Sequence, residues 1–237
     1  MQNSLISLNE NTHRNTGILD NPGFVQVANQ HLIPIAVDEL VDAATEFPVM
    51  FVKNTATGKF TLVAIMGLKP ESNLYCGKSD ISANYIPRVA QLYPFALRTH
   101  QNGQETEVCL QQNAELVVEN AGSRLFTESG NQSEYLQRKV KLLTHHAEQQ
   151  HVTDMFIDML LEKALLHEQT VKINLGNDDT VNIGGVYSVN TAALESLSDR
   201  DFLEMRKNGA LQVIHAQLHS LKQLNRLVRL TRQQLDG

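Results

Sequence analysis

The sequence predicts an α+β fold, in which a largely antiparallel sheet is covered by helices from the second half of the chain. Short runs rich in β-branched residues, separated by turn residues, fill residues 31–130. Helical periodicity dominates residues 131–237. A further pair of strand-like runs near 170–190 lies between those helices, so we expect residues 31–237 to form a single domain with one shared core.

The composition is that of a folded protein. Hydrophobic residues make up 42% of the 237 positions, too many for a disordered chain. Lys and Arg number 20 against 26 Asp and Glu, and a net charge of -6 does not attract nucleic acid. Cys76 and Cys109 form no CxxC pair, and we find neither a leader pattern nor a long apolar run. We therefore expect a soluble, cytoplasmic protein without a transmembrane segment.

The first seventy residues predict an arm, a strand, a helix and a hairpin. Residues 1–30 are rich in Asn, Gln, Thr and Gly and predict an extended N-terminal arm. "LIPIAV" (32–37) predicts a buried strand, and "DELVDAATEF" (38–47) a short helix opened by Asp38. "PVMFVKN" (48–54) and "FTLVAIMGL" (60–68) flank Gly58 and predict an antiparallel hairpin.

Two prolines organise the next segment, "YIPRVAQLYP" (85–94). Pro87 suits the first turn of a helix and Pro94 cannot continue one, which predicts a helix of about two turns. Strands are predicted after it, at "FALRT", "EVCLQQ", "AELVVEN" and "SRLFTESG", the first two flanking a turn at "QNGQE".

The second half predicts helices interrupted by one hairpin. Asn131 and Glu134 have capping-box spacing and open a helical region to about Glu168, either one helix or two. "TVKINLG" and "TVNIGGVYSVN" predict a hairpin around "NDD". The remaining predictions are a helix capped by Thr191, a second from Ser198 to Gly209, and a last helix over 210–234.

The sequence contains no familiar catalytic or cofactor motif. The patterns for nucleotide binding, for serine hydrolases and for metalloproteases are all absent. His145, His146 and His151 point in different directions on one continuous helix, so they do not converge on a metal. We interpret them as a solvated helix end, and we expect no catalytic residue, no metal and no cofactor.

The last helix carries a basic face. His215 and His219 share it with three cations, which oppose a metal at the histidine pair, namely Lys222, Arg226 and Arg229. One interpretation is a solvent-exposed amphipathic helix. Another is a surface that binds an anion or an acidic protein partner. The apolar stripe of the same helix allows a third, a homo-oligomer interface.

A ligand pocket is the alternative hypothesis for residues 93–100. Pro87 and Pro94 fix the backbone so that neighbouring aromatics enter the core, which favours a packing role. Arg98 and His100 fall on one face of a strand beside Tyr93. A polar pocket formed by these three residues is therefore a second hypothesis.

Several sequence blocks follow one another in a specific order. They include "EFPVMFVKNTATGKFTLVAIMGL", "YIPRVAQLYPFAL", "VCL", "RLFTESGNQSEYLQRKVKLL" and "GVYSVNTAALESLSD". In this order they resemble the SapC-like family of bacterial proteins, collinearly from about His31 to Leu230. The resemblance implies a link to the export or handling of surface-layer or other surface proteins or peptides. It also implies association with flavin-dependent tryptophan halogenase-like proteins.

Two functional hypotheses follow. The first is a non-enzymatic accessory protein that acts by binding a protein partner. The alternative is a small-ligand-binding protein or an enzyme of unknown chemistry that works beside a halogenase-like protein.

Overall fold

The computed structural model of the chain describes residues 5–21, 24–76, 82–99, 106–176 and 179–235. The predicted α+β class is confirmed: helices pack on antiparallel strands, which form three sheets rather than one. Within the described ranges the strands are β1 (Leu5–Ser7), β2 (Thr16–Ile18), β3 (Leu32–Pro34), β4 (Val49–Lys53), β5 (Phe60–Ile65), β6 (Phe95–Thr99), β7 (Thr106–Gln111), β8 (Val117–Glu119), β9 (Ser123–Arg124), β10 (Leu166–Gly176) and β11 (Asp179–Val189). The α-helices of the same ranges are α1 (Glu10–His13), α2 (Leu40–Ala43), α3 (Arg88–Leu92), α4 (Glu134–Glu162), α5 (Thr191–Glu195), α6 (Asp199–Lys207), α7 (Ala210–Ser220) and α8 (Leu224–Leu235).

The largest sheet has five strands in the order β10-β11-β4-β5-β3. The predicted hairpin of β4 and β5 is confirmed, with Gly58 in the left-handed region at φ 73° in its turn. The hairpin of β10 and β11 is also confirmed and places β10 at one end of the sheet. The turn predicted at 101–105 lies outside the described residues, as do residues 177–178 of the turn predicted at 177–179, whose last residue begins β11.

Helix α7 completes the centre of this sheet. Among the described residues, β11 and β4 pair only where Val186 and Tyr187 meet Val52 and Phe51. Farther along, the fully buried Gln217 donates from Nε2 to the Val49 carbonyl at 2.8 Å. Its Oε1 accepts the Val189 N–H at 3.3 Å. A side-chain amide thus replaces hydrogen bonds that a longer strand ladder would supply.

Two three-stranded sheets, β1-β7-β6 and β8-β2-β9, contain the N-terminal strands. β1 pairs with β7 through Leu5 and Gln111, and β2 lies between β8 and β9. Parts of the segment predicted as an extended arm therefore supply one edge strand and one central strand.

Helix α4 joins two hydrophobic cores. Its first turns bury Leu136 and Leu143 in a small core together with Phe95 and Leu110. Its last turns contribute to the large core around the five-stranded sheet, through Ile157 and neighbouring residues. The unbroken helix answers the question of one helix or two, and it connects both packing units.

Several predicted helix ends were wrong by a few residues. Helix α4 is capped by Ser133 rather than Asn131, and it ends at Glu162 rather than near Glu168. Ala164 adopts φ 51°, and the Leu165 N–H donates back to the Leu160 carbonyl at 2.8 Å. This is the arrangement that usually places Gly at a helix end, so Ala gave no signal of the stop.

Three further differences concern the starts and continuity of helices. A 3-10 turn, Val37–Glu39, precedes α2, so Asp38 does not open the helix. Asn190 rather than Thr191 caps α5. Helix α6 begins near Ser198 as predicted, with Ser198 as its cap. The last helix is divided into α7 and α8 by a 3-10 turn at Leu221–Gln223.

Candidate functional site

An open groove of about 780 Å³ lies between strand β10 and helix α8. Aliphatic side chains form its floor, among them Ile173, Leu224 and Val228. Asn174 and Asn225 also line the groove, and Lys172 and Arg229 are exposed at its rim. An apolar floor with a charged rim is the usual arrangement of a surface that binds another protein.

The groove exposes the edge of strand β10 as well as its faces. β10 is the last strand of the five-stranded sheet, and it is paired with β11 along its opposite edge. Residues 171–174 all line the groove, although successive strand side chains point to opposite faces. The groove must therefore run along the strand edge, where every second residue directs its N–H and C=O away from β11.

Arg232 holds helix α8 against one end of this edge. Its Nε donates to the Leu175 carbonyl at 2.8 Å and its Nη2 to the Asn174 carbonyl at 3.3 Å. The guanidinium therefore donates to two backbone carbonyl groups of β10. Among the described residues, no carboxylate forms an ion pair with Arg232.

The charge around the groove opposes the charge of the whole molecule. The net charge is -6, yet residues 205–235 contain six Lys and Arg and no Asp or Glu. Lys172 and Arg229 also form no ion pair within the described parts of the chain. The residues that line the groove include three cations, Lys172, Arg229 and Arg232, and no Asp or Glu, which favours an acidic ligand.

Of the five basic residues predicted on the last helix, Arg229 alone lines this groove. His215, His219 and Lys222 are exposed, and His219 Nδ1 lies 2.7 Å from the His215 carbonyl oxygen. The 3-10 turn separates these histidines, on α7, from Arg229, on α8. The structure therefore does not gather the predicted basic face into one site.

The side chain of Arg226 contacts other parts of the fold. It forms an ion pair with Glu46, donates to the Ser82 carbonyl at 2.9 Å and lies 5.1 Å from the centroid of the Tyr75 ring. Burial raises the pKa of Glu46, but hydrogen bonds from Asn84 and Arg226 outweigh it and hold that pKa below its usual value. Arg226 thus anchors α8 to the segment after α2.

The predicted pocket residues are likewise dispersed. Tyr93 lines two cavities beside helix α3. Arg98 is exposed, pairs with Glu107 and donates to Ser7 Oγ at 2.7 Å. His100 lies outside the described residues. Arg98 is absent from the walls of the Tyr93 cavities, so the structure assigns these two side chains different surroundings.

A polar network that the sequence analysis did not predict is centred on Glu39, whose side chain is 1% exposed. Its Oε1 accepts the Tyr85 hydroxyl and the Arg88 N–H, both at 2.6 Å, and its Oε2 accepts the Ala36 N–H at 3.0 Å. Glu39 therefore fixes the "YIPR" segment against the turn before α2, which supports the packing role predicted for the prolines.

Helix α4 extends this network at its histidines. Asp38 Oδ2 lies 2.7 Å from Arg88 Nη2 and 2.9 Å from His145 Nε2. Burial lowers the pKa of the neighbouring His146. These histidines lie in the middle of α4 rather than at a solvated end. Across the described ranges, no three His, Cys, Asp or Glu side chains are grouped so that they could hold a metal.

The helices described here include none with the length and apolar character needed to cross a membrane. In a comparison with protein families, the model described as SapC matches residues 8–227 of the chain. No curated protein and no solved structure matches the chain.

Proposed function

This chain belongs to the SapC family, and from its basic groove we propose that it is a non-enzymatic accessory protein that binds an acidic, extended segment of a partner protein. The observation that carries the proposal is the edge of β10, open to a groove whose lining includes three cations and no acidic residue. A peptide added as a strand would bond to the outward N–H and C=O groups of β10.

Side-chain pairing would set the specificity of this binding. Alternate residues of an added strand point toward opposite faces, so apolar residues can enter the floor while acidic residues meet Lys172 and Arg229. Rim charges of this kind govern association rate and partner choice more than total affinity. We propose surface proteins or peptides, which the family resemblance implies, as the natural partners.

The test uses a labelled peptide of about ten residues in which Glu and Val alternate, because that pattern suits strand addition. Fluorescence anisotropy measures its binding to the full chain. We expect binding that weakens with salt, and that is abolished by Pro at a central position of the peptide, since Pro lacks the backbone donor. A Lys and Val peptide of the same length should not bind.

Charge reversal locates the interaction. The double variant Lys172→Glu with Arg229→Glu should weaken binding about tenfold or more, which corresponds to about 1.4 kcal/mol. The matched control, Lys141→Glu, changes an exposed residue of α4 and should leave binding unchanged. Equal affinity in the double variant, or failure of the acidic peptide to bind, contradicts the proposal. Light scattering that shows a dimer broken by the double variant assigns the groove to a second copy instead.

A further inference from the structure

Two adjoining cavities lie between helix α3, the start of α4 and the described residues 18–21 and 24–26. Their volumes are about 350 and 200 Å³, and both are lined by Tyr93 and Leu116. Small-molecule sites usually occupy about 300–1,000 Å³ and combine apolar walls with a few polar groups. The pair of cavities reaches that size and is separate from the groove at β10.

Lys139 supplies the strongest polar group in this region. Its Nζ donates to the Gln91 carbonyl at 2.6 Å and lies 5.6 Å from the centroid of the Tyr135 ring. Both partners are neutral, and in the described residues no carboxylate forms an ion pair with Lys139. Burial lowers its pKa, as expected for an ammonium group without a counterion. An ammonium has three donors, so the Gln91 carbonyl leaves two for a ligand.

The walls of the cavities restrict the ligand further. Phe24, Tyr93 and Leu116 provide aromatic and aliphatic surface beside the lysine. Asp20 lines the smaller cavity together with Lys139, and its charge adds to burial in raising the pKa of the Tyr135 phenol to about 12. Glu115 lines the larger cavity. Among the described residues neither carboxylate forms an ion pair with Lys139, so one ligand carboxylate in direct contact with Nζ gains more from the ammonium than it loses to these two charges, whereas a second carboxylate would only be repelled.

We infer that Lys139 and the surrounding cavity bind a small monocarboxylate with an aromatic or branched aliphatic body. The carboxylate accepts hydrogen bonds from Nζ and displaces solvent, while the apolar body lies against Phe24 and Leu116. The inference does not depend on the groove at β10, because no residue that lines the groove lines these cavities.

Benzoate is the probe for this site, and isothermal titration calorimetry measures its binding. A ligand of this size should bind with Kd on the order of 1 mM. Benzyl alcohol, which keeps the ring but lacks the charge, and phthalate, which adds a second carboxylate, should each bind at least tenfold more weakly. Lys139→Met keeps the apolar stem and should reduce benzoate affinity at least tenfold, whereas the exposed Lys141→Met should not.

A second variant tests the cavity itself. Leu116→Trp adds volume where the two cavities meet and leaves the lysine in place, so it should also abolish benzoate binding. Thermal melting of each variant checks that the fold is retained. Benzoate binding of equal strength in the unmodified protein and in either folded variant overturns the inference, as does the absence of benzoate binding to the unmodified protein.

Discussion

Replacing Glu39 by Gln tests the network that fixes the "YIPR" segment. A glutamine has the same shape, but one of its two terminal atoms is a donor. If the amide nitrogen takes the place of Oε2, the buried Ala36 N–H loses its acceptor. If it takes the place of Oε1, both Tyr85 and Arg88 lose theirs. The first orientation costs less. In either orientation the substitution also removes the negative charge beside the Arg88 guanidinium.

The expected loss follows from these contacts. An unsatisfied buried donor costs about 1–3 kcal/mol, and a hydrogen bond to a charged group contributes about 1.5–3 kcal/mol. Glu39→Gln should therefore lower the free energy of unfolding by about 3 kcal/mol. Urea denaturation followed by far-UV circular dichroism measures it, because the sequence contains no Trp for fluorescence.

A matched substitution shows how much of the loss comes from the buried site rather than from replacing Glu by Gln as such. Glu148→Gln alters an exposed residue of helix α4 and should change the free energy of unfolding by less than about 0.5 kcal/mol. A second check uses Tyr85→Phe, which removes one donor to Glu39; its effect should be smaller when Glu39 is already Gln. Equal stability of Glu39→Gln and Glu148→Gln would show that the Glu39 network does not stabilise the fold.

Two further predictions concern the helices that pack on the sheet. Because burial lowers the pKa of His146, the unfolded chain binds its proton more readily, so stability should fall as pH drops below about 6.5, by at most about 1.4 kcal/mol per pH unit from this group. Urea denaturation at pH 7 and pH 5 should show a smaller decrease in His146→Gln, and an unchanged decrease excludes His146 as the source. Gln217→Leu should cost about 2–4 kcal/mol because it leaves backbone groups of two strands unsatisfied, whereas Gln212→Leu, exposed on the same helix, should cost less than about 0.5 kcal/mol. Similar urea midpoints for these two variants would contradict the bridging role of Gln217.

Local patterns predicted the elements whose signals lie within a few residues. The hairpin around Gly58 and the helix between Pro87 and Pro94 are examples, since turn residues and prolines restrict the backbone where they stand. The end of α4 was missed because Ala164 adopts a conformation that Ala rarely takes.

The candidate site was harder to predict because its determinants are far apart in sequence. Arg226 and Arg229 look alike on a helical face, yet Arg226 pairs with Glu46, 180 positions away. The groove itself depends on β10 being the last strand of its sheet, which is a property of topology rather than of residue spacing. Sequence could indicate a basic helix, but not which of its cations remain available to a ligand.

The hydrogen bonds of Gln217 limit how early the centre of the five-stranded sheet can form during synthesis of the chain. Val49 and Gln217 are separated by 168 positions, so a ribosome must add most of the chain after β4 before this hydrogen bond can form. A nascent chain that has just passed Val189 already holds both strands, while the amide that spans them has not yet been translated. The middle of the sheet therefore matures late, and the nascent chain must keep those strands from pairing with other polypeptides until α7 emerges.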